Sequence, residues 1–274
     1  MLEGYDRREA TMAGSRAVRT LGTAGLIGAM GGWALTSWGA LWGSTTEEQA
    51  LALPGDDYVA GGPPTHAAMT RAVTVAAPPE KVWPWVAQLG RGAGFYSYDA
   101  LDNGSRPSAR HIVSWIPEPA VGDATAMGYL RHVEPGVGLT WWLPGVRFLG
   151  AWTRMAFDIH LARSGPDTRV VTRVTGDAAG VLARPVIGVF RPMDSIMAVR
   201  QLVGLRERVE EAAGATAAGS TSPPDPETGA RDQYQLYEVV YASGERAGVA
   251  GQELAARWRR AAVTDGVLTE PMPA

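Results

Sequence analysis

The sequence predicts an α+β fold, a curved antiparallel sheet closed on one long C-terminal helix with an apolar cavity between them. Three observations predict it. RAVTVAAPPEKVWPWVAQLGRGAGFYSYDALDNG (Arg71–Gly104) reads as a strand, a turn, an amphipathic helix, a glycine-broken loop and a second short helix. Four strand candidates with short turns between them follow from Met127 to Thr175. Arg184–Glu211 then reads as helix with an apolar stripe.

Each element has a local reason. Ala72–Ala76 alternates and carries β-branched residues, which favours a strand. Pro78 and Pro79 end it, since proline donates no ladder hydrogen bond. Pro79 then suits a first helical turn, with Glu80 near the positive end of the helix dipole. Val82, Trp83, Val86 and Leu89 fall at helical spacing and predict one buried stripe. Pro84 lies early enough in this helix to be tolerated. Gly90, Gly92 and Gly94 end it. The connector that follows carries Phe95, Tyr96 and Tyr98, whose rings can wall a pocket.

Ser105–Thr125 reads as irregular. The strands are predicted at Met127–Val133, Leu139–Leu143, Arg147–Leu161 (broken near Gly150) and Thr168–Thr175. Turns at Glu134-Pro135-Gly136, Pro144-Gly145 and Ser164-Gly165-Pro166-Asp167 make consecutive strands antiparallel hairpins. In Thr153–Leu161, Met155, Phe157, Ile159 and Leu161 share one face. Arg154, Asp158 and His160 share the other, predicting one apolar and one wet face. On the long helix Ile196, Val199, Leu202, Val203 and Val209 form the stripe expected to lie across the sheet. Pro192 marks a kink or a fresh start.

Charge is close to balanced at −3, so nucleic acid is not an expected partner. The absence of cysteine excludes disulfides, thiolate metal sites and a cysteine nucleophile. Leu21–Gly43 carries no charge and is long enough to span a bilayer as a helix. Trp33, Trp38 and Trp42 lie towards its end, as an interfacial belt would. Arg7, Arg8, Arg16 and Arg19 precede it, so the main domain is expected outside the cytoplasm. A cleaved signal or a cytoplasmic surface helix is the alternative. The predicted organisation is a tail over 1–20, a membrane span over 21–43 and a linker over 44–68. The folded domain takes 69–214, a second linker 215–231 and a helical extension 232–274.

The runs AAPPEKVWPWVAQLGRGAGFYSYDALDN, HIVSWIPEPAVGD (His111–Asp123), TRVVTRV (Thr168–Val174) and MAVRQLVGLRERVE (Met197–Glu210) carry a resemblance. Thr70 to Glu211 resembles the SRPBCC superfamily, the START-like, helix-grip proteins that include polyketide cyclases and lipid-transfer domains. ALPGDDYV (Ala52–Val59) and the apolar run before it look like the N-terminal extension of a membrane-anchored bacterial subgroup. The resemblance implies a cavity between sheet and long helix that binds or processes hydrophobic molecules. It implies no common catalytic set, so fold alone does not settle activity.

Candidate ligand-binding residues are Trp83, Phe95, Tyr96, Tyr98, Trp141, Trp142, Met155, Phe157, Ile159, Val199 and Val203. Trp141 and Trp142 are adjacent on a strand, so only one can enter the cavity. Candidate catalytic residues are Tyr98, Asp99 and His111: a phenol to polarise a carbonyl and two groups to move a proton. Against this, Asp99 also suits a cap for the short second helix. Asp99 with Asp102 reads as a solvated carboxylate pair, and Arg154, Arg169 and Arg173 as outward, solvated cations. His111, His132 and His160 lack ligand spacing, so no metal is expected. No P-loop, Rossmann, nucleophile-elbow or His-Glu-x-x-His motif is present, and no cofactor is expected. The leading expectation is a non-enzymatic, membrane-tethered module that binds a hydrophobic small molecule or lipid. The alternatives are a polyketide cyclase or aromatase-like enzyme and an interaction scaffold.

Overall fold

The computed structural model describes residues 38–59, 65–114, 116–125, 127–148 and 151–217. Its elements run α1 (Thr46–Gln49), α2 (Asp56–Val59), β1 (Thr65–Val75), α3 (Pro79–Ala87), α4 (Asp99–Asp102), β2 (Ala124–Thr125), β3 (Gly128–Glu134), β4 (Gly138–Phe148), β5 (Ala151–Ser164), β6 (Asp167–Ala179) and α5 (Ala183–Ala217). The six strands form one antiparallel sheet in the order β1-β6-β5-β4-β3-β2. The long helix α5 packs across it, with α3 beside it. This is the α+β helix-grip arrangement that the sequence predicts.

The core lies between the sheet and the two helices. Leu139, Trp141, Ile159, Leu161 and Val170 meet Val82, Val86, Leu89, Leu202, Leu205 and Val209 there. Val82, Trp83, Val86 and Leu89 are all buried, as their spacing predicts. Pro79 opens α3 after Pro78, whose carbonyl accepts from Lys81 and Val82. Pro192 lies inside α5 without dividing it. The expected strand Arg147–Leu161 is two strands, β4 ending at Phe148 and β5 starting at Ala151.

The opposite face of the sheet corrects the sequence reading. Alternation predicts a wet face, yet residues 44–59, expected to be a linker, pack on it. Asp158 is only 3 % exposed. Its carboxylate accepts from the Thr140 hydroxyl (2.7 Å) and the Gly55 amide (3.0 Å). Arg173, expected outward, is buried and donates to the carbonyls of Glu48, Gln49 and Leu51 and to the Asp56 carboxylate. Arg169 pairs with Glu48, and Arg154 with Asp177. A period of two identifies which strand face is polar, but not whether backbone or water answers that polarity. The segment is shaped locally by a capping box, in which Thr45 and Glu48 each bond the other's amide.

The predicted membrane span also needs correction at its end. Residues 21–37 lie outside the described residues, but 38–43 dock on the free edge of β1. The Trp42 carbonyl accepts from the Ala72 amide (3.0 Å), and the Gly39 carbonyl accepts from Arg71 Nε (2.6 Å). Ala40 is buried against Met69, and Trp42 packs on the core while Trp38 stays exposed. A side chain at Gly39 would collide with Ser195, and one at Gly43 with the Ala72 carbonyl. These two glycines serve close approach to the domain. Among the described residues no helix is long and apolar enough to cross a membrane. The predicted linker over 215–231 and extension over 232–274 lie outside the described residues beyond 217.

Candidate functional site

A cavity of about 330 Å³ lies between the sheet and α5. The strands contribute Trp141, Phe157, Ile159, Thr172 and Val174 to its wall. These residues share one face because β4, β5 and β6 pair in register, with Trp141 beside Phe157 and Phe157 beside Val174. The helix contributes Phe190, Met193, Asp194, Met197, Ala198 and Gln201. Leu89, Phe95, Ser97, Asp102 and Met127 close the side formed by the connector. A second chamber of about 170 Å³ adjoins, lined by Met69, Met155, Val186 and Ile187 among others. The two chambers share Val174, Phe190 and Met193 as walls.

Of the predicted ligand residues, Phe95, Trp141, Phe157 and Ile159 line the larger chamber and Met155 the smaller. Trp142 points to the other face and packs on Tyr58, with ring centroids 5.6 Å apart. Trp83 is core, and Tyr98 is 44 % exposed outside the cavity wall. Tyr96 is fully buried in the connector, also outside that wall. Val199 and Val203 are half-buried and line neither chamber, and Ile196 is 53 % exposed. The cavity-facing helix surface is offset from the predicted stripe. The stripe follows Ile, Leu and Val, which fill space. The cavity wall uses Phe, Met, Ala and Gln, which leave or reshape it.

The connector is fixed by three buried polar side chains that no motif singles out. Gln88 donates to the Tyr96 hydroxyl (2.8 Å) and the His111 carbonyl (3.1 Å), and its oxygen accepts from the Val113 amide (2.9 Å). Arg91 ties the carbonyls of Ala87 and Pro117 to Asp123. Arg208 donates to the Ala109 carbonyl and sits over the Tyr96 ring at 4.7 Å. Tyr96 has φ 60°, a left-handed backbone unusual for a bulky residue. Burial drives its phenol pKa well up, so the hydroxyl stays protonated and donates to the Trp85 carbonyl.

The three predicted catalytic residues do not meet in the cavity. Asp99 accepts from the Ser108 hydroxyl (2.5 Å) and amide (3.1 Å), and Ser108 in turn accepts from the Tyr96 amide. Asp99 thus holds the connector, and the N-cap position of α4 belongs to Tyr98, which makes no side-chain cap bond. His111 is half-buried outside the cavity wall. Among the described residues no group of three His, Asp or Glu side chains could hold a metal ion.

Two acids to which the sequence analysis gave no role in a site, Asp102 and Asp194, line the cavity. Asp194 forms a buried ion pair with Arg71 at 2.8 Å, and burial raises its pKa despite that partner. Asp102, read from sequence as solvated, has both carboxylate oxygens shielded from solvent. The Ser97 hydroxyl, which donates to the Met197 carbonyl (2.9 Å), also lies beside Asp102 and opposes the rise of its pKa. Burial first, and the Asp99 charge second, push the Asp102 pKa up to about 6. Asp158, behind the sheet, is also pushed up to about 6 by burial, against its Thr140 and Gly55 donors.

No family model matches the chain, and no curated protein matches it. Similar solved structures include protein MLL2253 from Mesorhizobium loti, 14% identical over 53% of this chain and 98% of that one, with a TM-score of 0.31. The di-domain ARO/CYC StfQ from the steffimycin biosynthetic pathway is 10% identical over 55% of this chain and 52% of its own, with a TM-score of 0.35. TTHA0849 from Thermus thermophilus is 14% identical over 54% of this chain and 99% of that one, with a TM-score of 0.29. Likenesses at these scores carry nothing about activity.

Proposed function

We propose that this chain binds a small, mostly apolar molecule between its sheet and α5. The observation that carries the reading is the cavity of about 330 Å³ walled by Trp141, Phe157, Ile159, Phe190, Met193 and Met197. Its volume falls in the range that holds small ligands, and its apolar walls with few polar groups suit a hydrophobic guest. The adjoining chamber of about 170 Å³ gives room for a longer molecule, including the chain of a lipid. An interaction scaffold needs no such space, which places that reading lower. The test is native mass spectrometry with solvent extraction on the full chain purified without added lipid. A co-purifying apolar molecule is the expected result. A ligand-free protein that also refuses apolar probes would end this reading.

A polyketide cyclase or aromatase-like enzyme is the second reading, and Asp102 favours it. A shielded carboxylate titrating near 6 can exchange a proton near neutral pH. Catalysis through Asp102 predicts that Asp102→Asn stops turnover of the extracted ligand while binding persists. Unchanged turnover would exclude that role.

The uncharged run before Trp38, with four arginines upstream, supports membrane tethering with the domain outside the cytoplasm. Release of the full chain from membranes by alkaline wash would overturn this part of the proposal.

A further inference from the structure

The two chambers lie end to end on one side of the sheet, as the strand register shows. Ala67, Gly176, Met155 and Leu143 are successive partners across β1, β6, β5 and β4, and all four line the smaller chamber. The next row facing the same way is Met69, Val174, Phe157 and Trp141, and the last three line the larger chamber. The helix steps in the same direction. Val186 and Ile187 border the smaller chamber, Phe190 and Met193 border both, and Met197, Ala198 and Gln201 border the larger. At the rise of an α-helix, Val186 to Gln201 covers roughly 20 Å of α5, so the combined space is long and narrow. What divides it is side chain: Phe190 packs on Met69 and Val174. Beyond that division Ala67 and Gly176 keep the floor of the smaller chamber low, and a Cβ on Gly176 would already lie 3.1 Å from Met155 Cγ. Every methionine among the described residues, Met69, Met127, Met155, Met193 and Met197, lines one chamber or the other. Methionine side chains reshape readily, so a wall built from them can yield.

We infer that the guest carries an unbranched apolar chain that runs along α5 through both chambers, its end lying over Ala67 and Gly176 and its passage made by displacement of Phe190 and Met193. This rests on the binding reading above and narrows it from any small apolar molecule to a chain-bearing one. A compact ring system fills the larger chamber and stops at Phe190. An extended chain passes that point and buries further methylenes, each worth about fourfold in affinity. The smaller chamber suits a chain end. Thr153 and Asp177 are the polar side chains of its lining, and Asp177 is already paired with Arg154. The residues around the smaller chamber then set the longest chain that the protein accepts.

The test is equilibrium dialysis of the full chain against straight alkan-1-ols from hexan-1-ol to tetradecan-1-ol, with 1-adamantanol as the compact probe. In the parent chain affinity is expected to climb by about fourfold per methylene well beyond octan-1-ol before it levels. Ala67→Leu and Ile187→Phe fill the smaller chamber from opposite walls. Each should make the climb level earlier and weaken tetradecan-1-ol at least about tenfold, while hexan-1-ol and 1-adamantanol bind as before. Retained binding of these two short probes also shows that a variant is folded. A parent chain whose affinity stops rising by octan-1-ol would overturn the inference. So would the same levelling length in parent and variants, and both results would leave the binding reading intact. If neither the alkan-1-ols nor 1-adamantanol bound, both would fall.

Discussion

A methyl group on Gly204 would fall inside the contact distance of the Tyr96 carbonyl oxygen. Helix propensity alone favours Gly→Ala in a helix interior by about 1 kcal/mol. Here the obstacle is backbone, and Tyr96 is already held at φ 60° by Gln88 and Ser108. The clash should win, so Gly204→Ala is predicted to destabilise by about 2 kcal/mol in urea unfolding. A neutral or stabilising result would show that the connector yields easily. Asp158 gives the pH prediction. Its ordinary value is 3.8 and burial pushes it up to about 6, so the folded chain holds this proton more tightly than the unfolded chain. Its contribution is therefore full at low pH and is lost as pH rises from about 4 to 6. Asp158→Asn should be about 2 kcal/mol more stable than the parent at neutral pH, with the gain vanishing near pH 3.5. Unfolding curves across that range check both sign and window.

At the scale of elements, Arg173 fastens α1 and α2 to the sheet through three carbonyls and Asp56. Removing one partner of a buried charged cluster typically costs about 3–5 kcal/mol. Arg173→Met should release residues 44–59 first, with faster amide exchange there and little change in β5 or the C-terminal half of α5. Uniform loss of protection would mean that this segment is part of the global folding unit. The elements themselves were largely legible. Turn residues such as Glu134-Pro135-Gly136 and Ser164-Gly165-Pro166-Asp167 bounded β3–β4 and β5–β6, because glycine and proline act locally. Alternation in Thr153–Leu161 correctly turned Phe157 and Ile159 inward. The covering of Asp158 and Arg173 was not legible, because their partners lie more than a hundred residues away in chain order. Likewise the cavity face of α5 escaped a search for aliphatic periodicity. Asp102 looked solvated because nothing in its neighbours foretells a shielded carboxylate.

For the whole molecule, the decisive quantity is the space left between two well-packed layers. Ala198 lines it from α5, and Ala198→Phe should occupy much of it. Probe affinity is then expected to drop at least about tenfold, while overpacking costs no more than about 1–3 kcal/mol of stability. Retained affinity would place the binding site elsewhere. The lacing of residues 38–44 to β1 has a mechanical consequence. The Arg71–Gly39, Ala72–Trp42 and Thr70–Ser44 bonds lie along one strand edge and beside the helix that carries the Arg71 counter-ion, Asp194. A pull on the chain from upstream of Trp38 would load these bonds before any other part of the sheet. Because Asp194 is also a cavity wall, tension on the N-terminus would be felt in the cavity.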